Sequence, residues 1–127
     1  MSKSPTLRRF ADDEANASHP MLRVSPRKLN LIAGAIRGKT VEDALAFLKF
    51  DKKRISKEVQ KILMSAVSNA ENNHNLDIDQ LIVSEAVVGK SVVMKRVRPA
   101  AKGRACQIHK PFSRINICVA ERLKETK

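Results

Sequence analysis

The side chains able to do chemistry crowd into one stretch of this chain. Between Glu85 and Glu121 there is no acidic residue, yet the stretch carries Lys90, Lys95, Arg96, Arg98, Lys102, Arg104, Lys110 and Arg114. Unopposed positive charge at this density calls for a polyanion, and the commonest is nucleic acid. Arginine adds a planar fork that grips phosphate bidentately; lysine is a point charge. Lys102-Gly103-Arg104 sets two cations about a glycine, where backbone can come close to a phosphate. A solvated hairpin tip, its lysines discouraging edge pairing, is the bland alternative. It does not account for so many cations without one acid.

Catalytic patterns are missing. His19, His74 and His109 are scattered, with no nucleophile or carboxylate at a useful spacing. Asp77 and Asp79 flank Ile78 before a strand, which reads as a polar turn. There is no phosphate-loop glycine pattern and no dinucleotide fingerprint. Two cysteines without further Cys/His spacing make no zinc site. The expectation is therefore no enzyme, no cofactor and no metal.

The elements that must position the cations follow from periodicity. Leu81 to Val93 is rich in Val and Ile and strand-like; its alternation fails beyond Ala86, as for an arm leaving a core. Val97 to Gly103 holds the turn, and Ala105 to Ala120 returns. The apolar phase of the return shifts between Ile108 and the set Ile115, Ile117, Val119, which predicts a bulge or bend near Pro111. Cys106 and Cys118 lie on this return half. An extended chain would separate them by about 40 Å, too far for a disulfide, and such cysteine usage fits a reducing compartment.

Three helices precede the arm. Ser25-Pro26 is a helix start, Ser as N-cap and Pro at the first position. Leu29, Ile32, Ala33 and Ile36 follow helical spacing, and Gly38 stops it. Arg27 and Lys28 occupy the first turn, where the helix dipole disfavours cations, so an external anion is expected to compensate. Thr40 opens a second helix with Val41, Ala44, Leu45 and Leu48 inward. Asp51 is expected to cap a third and longest one, striped by Ile55, Val59, Ile62, Leu63, Ala66, Val67 and Ala70. Its polar face carries Lys52, Lys53, Arg54, Lys57 and Lys61. Phe47 and Phe50 are expected in the core. Residues 1–16 read as a flexible tail, Ala17 to Val24 as a short strand, and Arg122 to Lys127 as a frayed end.

The fold class is therefore α+β: three helices packed on a small antiparallel three-stranded sheet, with a long projecting β-hairpin over about residues 86–108. The 127 residues make one domain. The net charge of +12, from 25 Lys+Arg against 13 Asp+Glu, is the footprint of a nucleic-acid binder. With no Trp, no Tyr and 4 Phe, base stacking on exposed rings is discounted. Recognition through backbone and shape remains, on folded RNA or on DNA. No targeting segment is expected, since no apolar run follows the basic N-terminus, and no run approaches the ~18 residues of a membrane span.

Several motifs carry a resemblance. Leu22-Arg23-Val24-Ser25-Pro26-Arg27-Lys28-Leu29, Ile36-Arg37-Gly38-Lys39 and Ser65-Ala66-Val67-Ser68-Asn69-Ala70-Glu71-Asn72-Asn73 occur in order. Met94-Lys95-Arg96 and Ala101-Lys102-Gly103-Arg104-Ala105 follow. Together, from Ala17 to Glu121, the chain resembles the bacterial large-subunit ribosomal protein L22 family. The resemblance implies a structural protein that binds 23S-type rRNA and neighbouring ribosomal proteins in the cytoplasm. Its globular part would sit near the nascent-peptide tunnel exit. Its hairpin would line the tunnel wall and bridge rRNA domains during assembly, close to nascent peptide and to tunnel-binding drugs.

The implied rRNA-binding residues are Arg23, Ser25, Arg27, Lys28, Lys95, Arg96, Arg98, Lys102, Gly103, Arg104, Lys110 and Arg114. The implied tunnel-lining tip is Lys90, Met94, Lys95, Arg96, Val97 and Arg98. Three departures stand out. Pro99-Ala100 replaces the usual Pro-Arg, Val88-Gly89-Lys90-Ser91-Val92 replaces an acidic stretch, and Arg114-Ile115 replaces a common His-Ile pair. Two other classes remain as alternatives. One is an architectural DNA-binding protein that wedges a β-arm into the minor groove. The other is a membrane-surface protein, which needs an amphipathic helix that the core here requires.

Overall fold

A computed structural model of the chain describes residues 3–7 and 9–122. The elements run β1 (Glu14–Leu22), α1 (Pro26–Ile36), α2 (Val41–Phe50), α3 (Ser56–His74), β2 (Leu81–Pro99) and β3 (Ala105–Glu121). Short 3-10 turns occupy Ile78–Gln80 and Ala101–Gly103. The sheet is antiparallel in the order β1-β3-β2, so the last strand is the central one. This is the expected α+β arrangement.

The core lies between the helices and one face of the sheet. Leu29, Ile32, Ala33 and Ile36 of α1, Val41, Ala44 and Leu48 of α2, and Val59, Leu63, Ala66 and Ala70 of α3 are buried. They meet Ala15, Val83, Ala86, Ile115, Ile117 and Val119 from the strands. Each helix contributes the stripe that its 3.6-residue period predicts.

The helix starts differ in one respect from expectation. Thr40 caps α2 by accepting from the Asp43 amide at 3.2 Å. Asp51 does not open α3: it ends α2, and α3 begins at Ser56 after Ile55. Asp51 still serves α3, because the Ser56 hydroxyl donates to its carboxylate at 2.6 Å. That bond holds the Asp51 carboxyl below its ordinary range, despite the opposing effect of burial. Asn75, left-handed at φ 53°, ends α3.

Other corrections concern the edges. Strand β1 starts at Glu14, inside the expected tail, because pairing of Glu14 to Ala17 with Ile117 to Ala120 dictates it rather than apolar content. Phe50 is 80% exposed. It stands two residues beyond Leu48, the last inward position of α2, and so points off the stripe. The Arg122 amide donates to the Gln80 carbonyl at 2.9 Å, so that residue is tied to the body. Residues 1, 2, 8 and 123–127 of the expected tails lie outside the described residues. As read from sequence, Asp77 forms a polar turn, accepting from the Asp79 amide at 3.2 Å and the Gln80 amide side chain at 2.7 Å.

The arm is the outer part of β2 and β3. Residues Val93 to Pro99 pair with Ala105 to Pro111, and every residue from Val92 to Lys110 is exposed. At the spacing of paired strands this ribbon extends about 25 Å. Its root is tied to the globular part. The buried Ser113 hydroxyl donates to the Val24 carbonyl at 2.8 Å, and Arg37 Nε donates to the Ala86 carbonyl at 2.8 Å. Gly38 and Lys39 exchange backbone bonds with Val83 at 2.8 and 2.9 Å.

Candidate nucleic-acid interface

The apex of the arm is a tight loop closed by the Pro99–Ala105 pair. The Ala100 amide donates to the Arg104 carbonyl at 2.8 Å. Two successive residues there adopt left-handed backbone, Lys102 at φ 60° and Gly103 at φ 69°. Glycine takes this conformation freely; lysine does so at a cost of about 1 kcal/mol. Lys102 and Gly103 therefore form the tip itself, within the expected turn.

Met94, Lys95, Arg96, Val97 and Arg98 stand on the shaft just below the apex, opposite Lys110 to Cys106 in order. Lys90 does not belong with them. It pairs with Ser113 at the root, nine residues before Pro99, which is about 30 Å of strand.

Across the arm no lysine or arginine faces another. The pairs are Met94 with Lys110, Lys95 with His109, Arg96 with Ile108, and Arg98 with Cys106. Like charges directly opposed would destabilise the ribbon, and this register avoids them. No acid lies between Glu85 and Glu121. Glu85, the last one before the arm, is engaged by Arg9 at 3.5 Å.

The root of the arm is ringed by grooves that each hold cations. Arg27 lines one of about 480 Å³ with Asn30, Arg37 and Ser84 to Val88. Its sequence neighbour Lys28 lines another, of about 470 Å³, with Arg23, Ser25, Leu31, Lys53 and Arg54. There the Arg54 guanidinium donates to the Arg23 carbonyl at 3.0 Å, fixing one wall. A third, of about 430 Å³, lies between Arg9, His19, Arg114 and Asn116.

The first turn of α1 has no acidic residue, and the Ser25 side chain caps none of its amides. Arg114 runs across Gly89, where an added Cβ would sit 2.6 Å from its Nε. A side chain at that position would push the Arg114 side chain aside.

The fold thus gathers Arg23, Ser25 and Lys28 in one groove, puts Arg27 in the next, and lifts Lys95 to Arg104 away from both. Lys53, Arg54 and Arg9 join these grooves without having been singled out as binding residues. A row of basic residues before a helix was visible, but not which of them turns toward Arg23. No group of metal-ligating side chains occurs among the described residues, and no helix there is long and apolar enough to cross a membrane. Cys106 and Cys118 are free thiols, exposed and buried respectively; burial pushes the Cys118 thiol up.

A sequence profile described as "Ribosomal protein L22p/L17e" matches residues 17–120. The protein named large ribosomal subunit protein uL22 of Maricaulis maris is 61% identical over 121 residues, covering 95% of this chain and 96% of that one. Its namesake from Rhodospirillum rubrum is 59% identical over 122 residues, covering 96% and 97%. That from Beijerinckia indica is 58% identical over 121 residues, covering 95% and 94%.

Proposed function

The chain belongs to the ribosomal protein L22p/L17e family, and from that premise we propose that its arm and root grooves clamp folded large-subunit rRNA along the nascent-peptide tunnel. The coarser role follows from the family: it is a structural, rRNA-binding component of the large ribosomal subunit, at work in the cytoplasm, and not an enzyme.

The observation that carries the finer reading is the run from Val92 to Lys110, exposed throughout and free of acids. A two-stranded ribbon that buries nothing is marginal in water. A polyanionic partner supplies the missing stabilisation.

In this reading Arg96, Arg98, Lys102, Arg104, Lys110 and Arg114 neutralise phosphates along the arm, and Gly103 lets backbone come close to one. Arg23, Ser25, Arg27 and Lys28 hold a second stretch of backbone at the globular end. Phosphate contacts fix position; the shape of the folded RNA supplies specificity. Holding RNA at both ends of the arm bridges rRNA domains during assembly. The globular part then sits near the tunnel exit, beside neighbouring ribosomal proteins. Met94 to Arg98 reach the lumen, within range of nascent peptide and tunnel-binding drugs.

The experiment is co-sedimentation of tagged protein with the large subunit at moderate salt, followed by crosslinking through Lys102 and Lys110. Crosslinks to tunnel-wall nucleotides are expected. Sedimentation without tip crosslinks would remove the tunnel placement. Absence from the subunit, with tight binding to bent duplex DNA, would favour the DNA-bending alternative.

A further inference from the structure

Strand β3 runs without interruption through its pairing with β2, while β2 carries the irregularities. Between Lys90–Ser113 and Val93–Pro111, β2 advances three residues and β3 two. One extra residue, at Ser91–Val92, is therefore inserted in β2 alone, opposite Phe112. The bulge expected in the return strand near Pro111 is not there: the inserted residue belongs to the outgoing strand, and β3 alternates unbroken, with Ile108 on the face opposite Ile115 and Ile117.

This bulge reverses the facing of everything beyond it. Below it, Ala86 and Val88 share the core side with Ile117 and Ile115. Unbroken alternation would carry Met94, Arg96 and Arg98 onward on that same side. With one residue inserted they change sides. Arg96 and Arg98 come to share the outer face with Lys110, and Arg114 continues that face toward the root. The opposite face of the arm holds Val93, Lys95, Val97, Pro99, Gln107, His109 and Pro111. Bulges re-aim side chains in this way.

We propose that the arm is one-sided: Arg96, Arg98, Lys110 and Arg114 form a continuous phosphate-binding face, and the face of Val93, Val97 and Gln107 is turned away from the RNA. This rests on the rRNA-binding reading above and specifies which side of the arm performs it. From Cys106 to Arg114 the face spans eight residues of β3, about 27 Å. That is room for several consecutive phosphates. The stripe is interleaved with Met94, Ile108 and Cys106, whose side chains lie level with the arginines. The face left over is mostly uncharged, which suits a surface passing a moving peptide rather than gripping a polyanion.

The chain contains its own reporter. Cys106 is exposed and sits on the proposed RNA face opposite Arg98, whereas Cys118 is buried and serves as the silent control. The test is maleimide labelling of the full chain, free and bound to deproteinised large-subunit rRNA, with complex formation checked by sedimentation. Alkylation of Cys106 is expected to slow at least tenfold in the complex. In a C106S background, Val97→Cys and Gln107→Cys report the other face, and their labelling is expected to change less than twofold. Equal protection of both faces, or none at Cys106, would overturn one-sidedness while leaving rRNA binding intact. Failure to recover any complex would overturn the binding reading and this proposal together.

Discussion

Helix α3 and strand β2 are each 19 residues long, but their order has different sources. In α3 the buried positions Ser56, Val59, Ile62, Leu63, Ala66 and Ala70 run along nearly the whole element. In β2 the buried positions are Leu81, Val83 and Ala86, all close to its start. The helix is held by apolar surface removed from water, worth about 25 cal/mol per Å². The outer half of β2 has only its ladder with β3 and a charge that awaits a partner. One chain thus separates a part that makes it a folded domain from a part that makes it useful, and the Lys90–Val93 bulge stands near the border.

The comparison breaks most visibly in salt. If the arm binds by neutralising at least six phosphates, rRNA affinity should fall about a thousandfold between 50 and 200 mM salt. Filter binding across a salt series checks this, and a flat plot would remove the charge mechanism. The core should respond to packing instead. Leu63→Ala is expected to lower the unfolding free energy by about 2–5 kcal/mol, measured by urea denaturation. Deleting Met94 to Arg96 should change it by under ~0.5 kcal/mol, because those exposed residues bury little. If that deletion unfolds the domain, the division between arm and core is wrong. On the ribosome the same deletion should alter passage of nascent chains or binding of tunnel drugs.

Two smaller effects sharpen the border. Ser56→Ala removes the hydroxyl that donates to Asp51 and should cost about 1 kcal/mol at neutral pH. Because the fold lowers the Asp51 pKa below 3.8, its contribution is present above that value and is lost as pH falls through the folded pKa. In Ser56→Ala the pH dependence of stability below about pH 4 should therefore be shallower; an unchanged acid limb would show that the bond does not matter. Last, Gly103→Val puts a β-branched side chain at φ 69°. It should disturb the apex alone, with rRNA affinity reduced a fewfold and the thermal midpoint moved by about 1 °C or less. A large drop in the midpoint would mean that apex and core unfold together.

What was legible in the sequence follows the same border. Ser25-Pro26, the α3 stripe and the acid-free window each state a local rule strongly, and each appears in the fold. The misreadings arose where a tertiary partner decides. Glu14 joins β1 because Ala120 stands opposite, not because of its own propensity. Asp51 resembles a helix cap in sequence, yet an intervening turn puts it at the end of α2. Phe50 is apolar and lies in a helix, but off the inward stripe. The phase shift near Pro111 suggested a bulge in the return strand, but it only reflects Ile108 facing away from the core side; the pairing register puts the bulge in β2, and with it the side each arginine takes.

The strand order β1-β3-β2 has a consequence for how the chain comes to be folded at all. The central strand is the last to be synthesised. Until Ile115 to Val119 have emerged, β1 and β2 lack the strand that joins them, and the helices have no complete sheet to cover. The domain therefore closes only after its arm has been made in full, turned at Lys102–Gly103 and brought back. A chain truncated anywhere before β3 is left with two unpaired strand edges rather than with a smaller version of the domain.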